Sequence, residues 1–281
     1  MLSRAVDVGE LTLAYRAAGD RANPALVLLH GWPHSSAIYE GVLERLGASF
    51  RVLAFDLPAV GGSRGTPRSA EKIHLADVIL TAAEKVGARS ILIAGFDVGG
   101  MIAFAAARDH ASRIRGAIVG HTVLPGIDPW SQVLADPRIW HFALHLIPKL
   151  PETLVTGRER PYFDFFFNAL AKDPHSLDEN LRRRLTEAYL RAESLHAGFE
   201  WYRAFPRDAE RNAVHKSIDV PVLCLRGDAY GRIEDYVDGL RRAGAGRIES
   251  ATIAGSGEYL PIEAPDAFVE QILRFRAAVE G

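Results

Sequence analysis

Ser90-Ile91-Leu92-Ile93-Ala94-Gly95-Phe96-Asp97-Val98-Gly99-Gly100-Met101 is the stretch on which the fold turns. Residues 90–94 form a short, continuous apolar run, the pattern of a strand buried on both faces. Residues 98–108 carry apolar side chains spaced near three and four, as a helix requires. Between them stands G-x-D-x-G-G, the form of a nucleophile elbow. In such an elbow the middle residue sits on a tight strand-to-helix turn, the flanking glycines avoid collision, and the helix N-terminus favours negative charge there. Asp97 also suits a plain helix N-cap, because Asp is a favoured cap and Gly is common in turns. A second motif, described below, favours the elbow.

Outward from this stretch the same alternation repeats. Residues 25–30, 51–55, 116–119 and 220–225 are short apolar runs, and 70–86, 233–243 and 267–279 have helical spacing. Strands alternating with helices predict an α/β fold, a mostly parallel sheet flanked by helices. Residues 3–17 alternate polar and apolar around Gly9-Glu10, predicting an antiparallel hairpin at a sheet edge. The alternation stops over 124–216, where aromatic-rich helical stretches replace core strands: Trp130, Trp140, Tyr162, Phe163, Phe165, Phe166, Phe167, Tyr189, Trp201 and Tyr202. The expected organisation is a core of 1–123 and 217–281, about 190 residues, with an inserted helical cap of about 90 over 124–216.

Composition excludes several classes. With 281 residues and 48% hydrophobic content the chain can bury an ample core without covalent staples. The single Cys224 cannot form an internal disulfide, and the charged start MLSRAVDVGE lacks the apolar stretch of a signal peptide, so a cytoplasmic location is expected. No apolar run reaches membrane-spanning length. A formal charge of −2 offers no general field for nucleic acid.

The second motif is His30-Gly31-Trp32-Pro33, directly after the run at 25–29 and ending 64 residues before Asp97. A Gly-bearing turn there leaves the Trp32 amide free to point at the elbow, so that the Trp32 and Val98 amides form an oxyanion hole. Taken together, the motifs resemble the α/β-hydrolase fold family. Asp at the elbow with HGWP is similar to its epoxide hydrolase and haloalkane or haloacetate dehalogenase branch, in which the Asp attacks a carbon to form an alkyl ester that activated water then hydrolyses. The resemblance continues through Trp140-His141-Phe142, through residues 150–160, and through Phe199-Glu200-Trp201-Tyr202-Arg203-Ala204 and Asn212, which look like the cap of bacterial epoxide hydrolases. It implies that His141 and Tyr202, beside Trp140, hydrogen-bond the epoxide oxygen. Ordinary packing of both in a cap core is the competing reading.

The chain departs from the family at the other members of its triad. The family's His lies on the loop after the last strand, where this sequence has Gly255-Ser256-Gly257-Glu258. The acid that orients that His often follows the strand after the elbow helix, where this sequence has Gly120-His121, 24 residues past Asp97. A second acid position known in the fold is filled by Asp228. The two residue types look exchanged, and three readings compete. Asp97, Glu258 and His121 form a rearranged triad with Glu258 facing the substrate. Alternatively, loss of the usual His ends ester hydrolysis and Asp97 with Glu258 performs a cyclisation, isomerisation or elimination. In the third, the pocket only binds a ligand, or Glu258 is an engineered change that traps the ester. Two coincident changes in one site favour the coupled exchange.

The expected reaction is therefore opening of an epoxide on an apolar or aromatic small molecule by Asp97. Val98, Gly99, Gly100 and Met101 offer no cation for a haloacid, and His141 is followed by Phe142 where a halide cradle would use Trp. No cofactor is expected. The remaining histidines, His74, His110, His145, His175, His196 and His215, show no ligand spacing, so no metal is expected either. The anticipated partner is the small-molecule substrate, without nucleic acid or membrane. A homodimer stays an open alternative.

Overall fold

The computed structural model describes residues 3–229 and 231–280. Its strands are β1 (Arg4–Val8), β2 (Leu11–Ala18), β3 (Ala25–Leu29), β4 (Arg51–Phe55), β5 (Ile91–Phe96), β6 (Ile114–Gly120), β7 (Val222–Gly227) and β8 (Ile248–Ile253). They form one sheet in the order 1-2-4-3-5-6-7-8. The β1–β2 hairpin pairs Val8 with Leu11 across the Gly9-Glu10 turn, and β2 runs antiparallel to β4; every other pair is parallel. The apolar runs read from sequence are the interior strands. In β3, β4, β5 and β7 every residue is buried, and each such aliphatic or aromatic side chain contributes about 1.5–3 kcal/mol on leaving water. Strand β8 was not among the sequence runs, and its burial pattern explains why. It is an edge strand in which only Ile253 is fully buried, so it carries polar residues such as Glu249 and Ser250.

The helices are, in chain order, α1 (Glu40–Gly47), α2 (Lys72–Lys85), α3 (Val98–Asp109), α4 (Trp130–Leu134), α5 (Trp140–Leu146), α6 (Leu150–Val155), α7 (Glu159–Leu170), α8 (Glu179–Glu187), α9 (Ala192–Arg203), α10 (Phe205–Asn212), α11 (Ile233–Arg242), α12 (Leu260–Glu263) and α13 (Pro265–Glu280). Helices α4–α10 all lie between β6 and β7, and no strand occurs there among the described residues. Their interior is aromatic: Phe163, Phe167, Tyr189, Phe199 and Trp201 are almost wholly buried. This interior is continuous with the sheet's core through Trp32, whose indole meets Phe166 at 4.9 Å and Phe163 at 5.6 Å edge-on.

Because β3, β5, β6 and β7 are parallel neighbours, their C-terminal ends lie along one edge. Residues just past those ends therefore converge, as ligand-binding residues do in open α/β sheets. Trp32 follows β3, Asp97 follows β5, His121 follows β6, and Arg226-Gly227 closes β7.

Candidate active site

Asp97 sits between β5 and α3 at φ +51° and ψ −123°, a conformation that costs a residue with a Cβ roughly 1–3 kcal/mol. Packing over-determines it. A Cβ on Gly99 would collide with the Leu29 carbonyl oxygen, and one on Gly31 would lie 2.5 Å from Asp97 Oδ2. The turn after β3 is shaped by His30, which is fully buried. Its Nε2 accepts from Leu57 N–H at 3.0 Å, so Nδ1 carries the proton and donates to the Gly31 carbonyl at 2.8 Å. The turn thereby directs Trp32 N–H onto Asp97 Oδ2 at 2.7 Å, and the Val98 amide also bonds the Asp97 carboxylate. Burial pushes the Asp97 carboxyl up to about 6, opposed by the Trp32 and Val98 amides and by the charge of Lys72.

The exchanged residues meet. His121, at φ +30°, places Nε2 3.5 Å from Glu258 Oε2, with side chains only 5% and 13% exposed. Glu258 lies on the loop between β8 and α12. Its amide donates to the Leu170 carbonyl at 3.0 Å, and Glu263 holds the loop by accepting from Gly257 N–H and Tyr259 N–H. Burial, then the nearby Asp97 charge, raises the Glu258 carboxyl well above the usual range, while Arg226 pulls it down. The His121 imidazole is held well below its ordinary value, by burial first and then by Arg226. Asp228 is not brought to this group. Its carboxylate bonds Lys172 Nζ at 2.5 Å and Gly255 N–H at 3.2 Å at the surface, so it does not serve as the acid behind His121.

A cavity of about 430 Å³ opens above the elbow, lined by Asp97, Trp32, His121 and Glu258 on the sheet side and by Trp140, His141, Phe166 and Tyr202 from the inserted helices. Tyr202 is 1% exposed, and its hydroxyl has no hydrogen-bond partner among the described residues; burial raises it well above its ordinary value. His141 stacks on Trp32 with centroids 6.0 Å apart, and burial lowers it to about 3, so its ring is neutral. Trp140 is half-exposed and lies against Phe165.

Two cations were missed in the sequence. Arg226 is buried and lines the cavity; it donates to the Thr122 carbonyl at 2.9 Å and lies 3.5 Å from the Tyr236 ring centroid. Neither lies along α3, the element next to the elbow in sequence. The available signal was a charge ending an otherwise apolar strand, the position where parallel sheets place site residues. Lys72, buried at the start of α2, bonds Asp208 Oδ2 at 2.7 Å and the Trp201 carbonyl at 2.6 Å. It thus ties α2 to α9 and α10, and its charge acts on Asp97. Among the described residues no group of three or more His, Cys, Asp or Glu is placed to hold a metal ion, and no helix is long and apolar enough to cross a membrane.

Comparison with known proteins gives the site its setting. The chain is 24% identical over 260 residues to a soluble epoxide hydrolase from Corynebacterium sp. (strain C12), covering 90% of each. It is 25% identical over 272 residues to a pimeloyl-[acyl-carrier protein] methyl ester esterase from Pectobacterium carotovorum, covering 95% of this chain and 99% of that one. Among solved structures, Cfl2 from Burkholderia cenocepacia superposes with a TM-score of 0.89 at 27% identity, covering 97% of this chain and 95% of that one. The model for the alpha/beta hydrolase fold matches residues 24–232, and with the eight-stranded sheet and its elbow the chain belongs to that family.

Proposed function

We propose that this protein opens an epoxide on an apolar or aromatic small molecule, with Asp97 as the nucleophile and residues 124–216 as the cap over the site. The observation that carries this reading is a single cavity with a carboxylate under two amide donors on one side and the Tyr202 and His141 side chains on the other. Asp97 attacks an epoxide carbon; the carbon–oxygen bond breaks, and the Tyr202 hydroxyl gives its proton to the departing oxygen while His141 hydrogen-bonds it. Burial first, and the Asp97 charge second, raise the proton affinity of Glu258, and forming the ester removes the second of these. Glu258 then releases its proton, which restores Tyr202 through solvent. As a carboxylate, Glu258 takes a proton from water attacking the Asp97 carbonyl carbon, whose oxyanion is held by the Trp32 and Val98 amides. Collapse expels the second alkoxide, which takes that proton back from Glu258. Asp97 leaves the step as the acid and passes its proton to Glu258, and the resting state returns with a diol formed.

A methyl ester substrate, as the esterase relative's name describes, fits this elbow poorly. Attack by Asp97 on an acyl carbon would give a mixed anhydride, not an alkyl ester. A second reading draws on two buried carboxylates of raised proton affinity near a His121 whose proton affinity burial lowers. That arrangement favours proton transfer without water, as in an isomerisation or cyclisation. Multiple turnovers of a styrene-type epoxide in oxygen-18 water separate the readings. Label in the Asp97 carboxylate and in the diol supports the ester route, and an unlabelled isomeric product supports the second. A protein that only binds ligand would show no turnover that Asp97→Asn removes.

A further inference from the structure

The exchange of His and carboxylate leaves open which imidazole nitrogen carries the proton, and the end of β7 bears on it. Gly227 N–H donates to His121 Nδ1 at 3.1 Å. A neutral imidazole has one donor and one acceptor nitrogen, so an accepting Nδ1 places the proton on Nε2. That is the atom 3.5 Å from Glu258 Oε2, a separation from which catalytic contacts commonly tighten into hydrogen bonds when substrate binds. Protonating the ring would set Nδ1–H against Gly227 N–H. The charged groups around the ring act in two directions. Arg226 on β7 disfavours an imidazolium, and that guanidinium is fixed by the Thr122 carbonyl and the Tyr236 ring of α11. Glu258 and Asp97 would favour it, but both are buried carboxylates with raised proton affinity. Asp235, Asp136 and Arg138 line other parts of the cavity, and Asp136 pairs with Arg138.

We propose that His121 is a positioning residue which stays neutral: Gly227 N–H, bonded to Nδ1, sets it as the Nε2–H tautomer, and it directs that proton to Glu258 Oε2 so that Glu258 alone performs proton transfer. This rests on the reading of Glu258 as the base of the water step. The hydrogen bond of the usual pair is thereby reversed. An imidazole N–H orients a carboxylate, in place of a carboxylate orienting an imidazole. A donor on Oε2 leaves Oε1 to face the water, and a neutral donor avoids the charge that would make Glu258 too weak a base.

Nitrogen-15 spectra of histidine-labelled full-length protein test the tautomer directly, with His121 assigned by the signals missing from His121→Gln. The expected result is an unprotonated Nδ1 and a protonated Nε2, unchanged from about pH 5.5 to 8.5. A protonated Nδ1, or titration within that range, overturns the proposal. Turnover supplies a second arm. His121→Gln retains an N–H donor of similar reach and should lose less than about tenfold in kcat, whereas His121→Leu should lose about 10–100-fold with KM little changed, the range found when an orienting partner is removed. Equal losses in the two variants overturn it. The spectral arm does not depend on turnover, so failure of the epoxide reading, seen as label absent from Asp97, is distinguishable from failure of this one.

Discussion

Asp97 illustrates how one residue is poised by its surroundings. Two amides stabilise its anion while burial opposes it, and the balance sets its carboxyl at about 6. The proposed attack requires its ionised form. The kcat/KM of the free enzyme is therefore expected to fall about tenfold per pH unit below about pH 6 and to level off above it, as a pH–rate profile would show. The same shift bears on stability. The folded value lies above that of the unfolded chain, so folding disfavours the anion; the cost is absent below about pH 4 and complete above about pH 6. Asp97→Asn should consequently be more stable than the parent at pH 8, by about 1–2 kcal/mol once the cavity's partial solvation is allowed for, and the gain should vanish near pH 4 in urea titrations. The place of Asp97 on a strand-to-helix turn was legible in the sequence because adjacent residues write it. Asp228 was equally conspicuous as a candidate, yet its side chain turns outward to Lys172, a contact across 56 residues that no local pattern reveals.

At the scale of elements, the attachment of the inserted helices to the core rests partly on one buried ion pair. Lys72 Nζ meets Asp208 Oδ2 at 2.7 Å with side chains 4% and 5% exposed, and Lys72 N–H donates to Asp208 Oδ1 at 3.0 Å. The ammonium also holds the carbonyl of Trp201, the neighbour of Tyr202, so the pair fixes α9 where Tyr202 faces the site. Lys72→Met leaves Asp208 buried and unpaired and should cost about 3–5 kcal/mol in denaturant unfolding, whereas Lys72→Met with Asp208→Leu should recover most of that loss. Burial of both charges was not visible in the sequence, since the partners lie 136 residues apart. The interior strands were visible because full burial writes itself as a continuous apolar run. The half-exposed edge strand β8 writes no such run.

For the whole molecule, stability comes from one apolar cluster that runs from the sheet into the inserted helices, with no covalent cross-link among the described residues. Cys224 is buried within β7, and burial raises its thiol to about 11. The native protein should resist thiol-specific reagents and react with one equivalent only after unfolding, and its Tm should be the same with and without reductant. The alternation of apolar runs and helical spacing by itself determined the α/β architecture, the helical character of 124–216, and the G-x-D-x-G-G turn with its HGWP companion. All of these depend on residues close together in the chain, where pattern and local conformation are directly coupled. Only the tertiary structure brought Arg226 to the cavity and the charge of Lys72 within reach of Asp97, and set Asp228 aside. It alone also aims Gly227 N–H at His121 Nδ1 across 106 residues, the contact on which the proposed division of work between His121 and Glu258 rests. A sequence specifies which groups exist. The direction of a hydrogen bond between two of them depends on what else the fold aims at each atom.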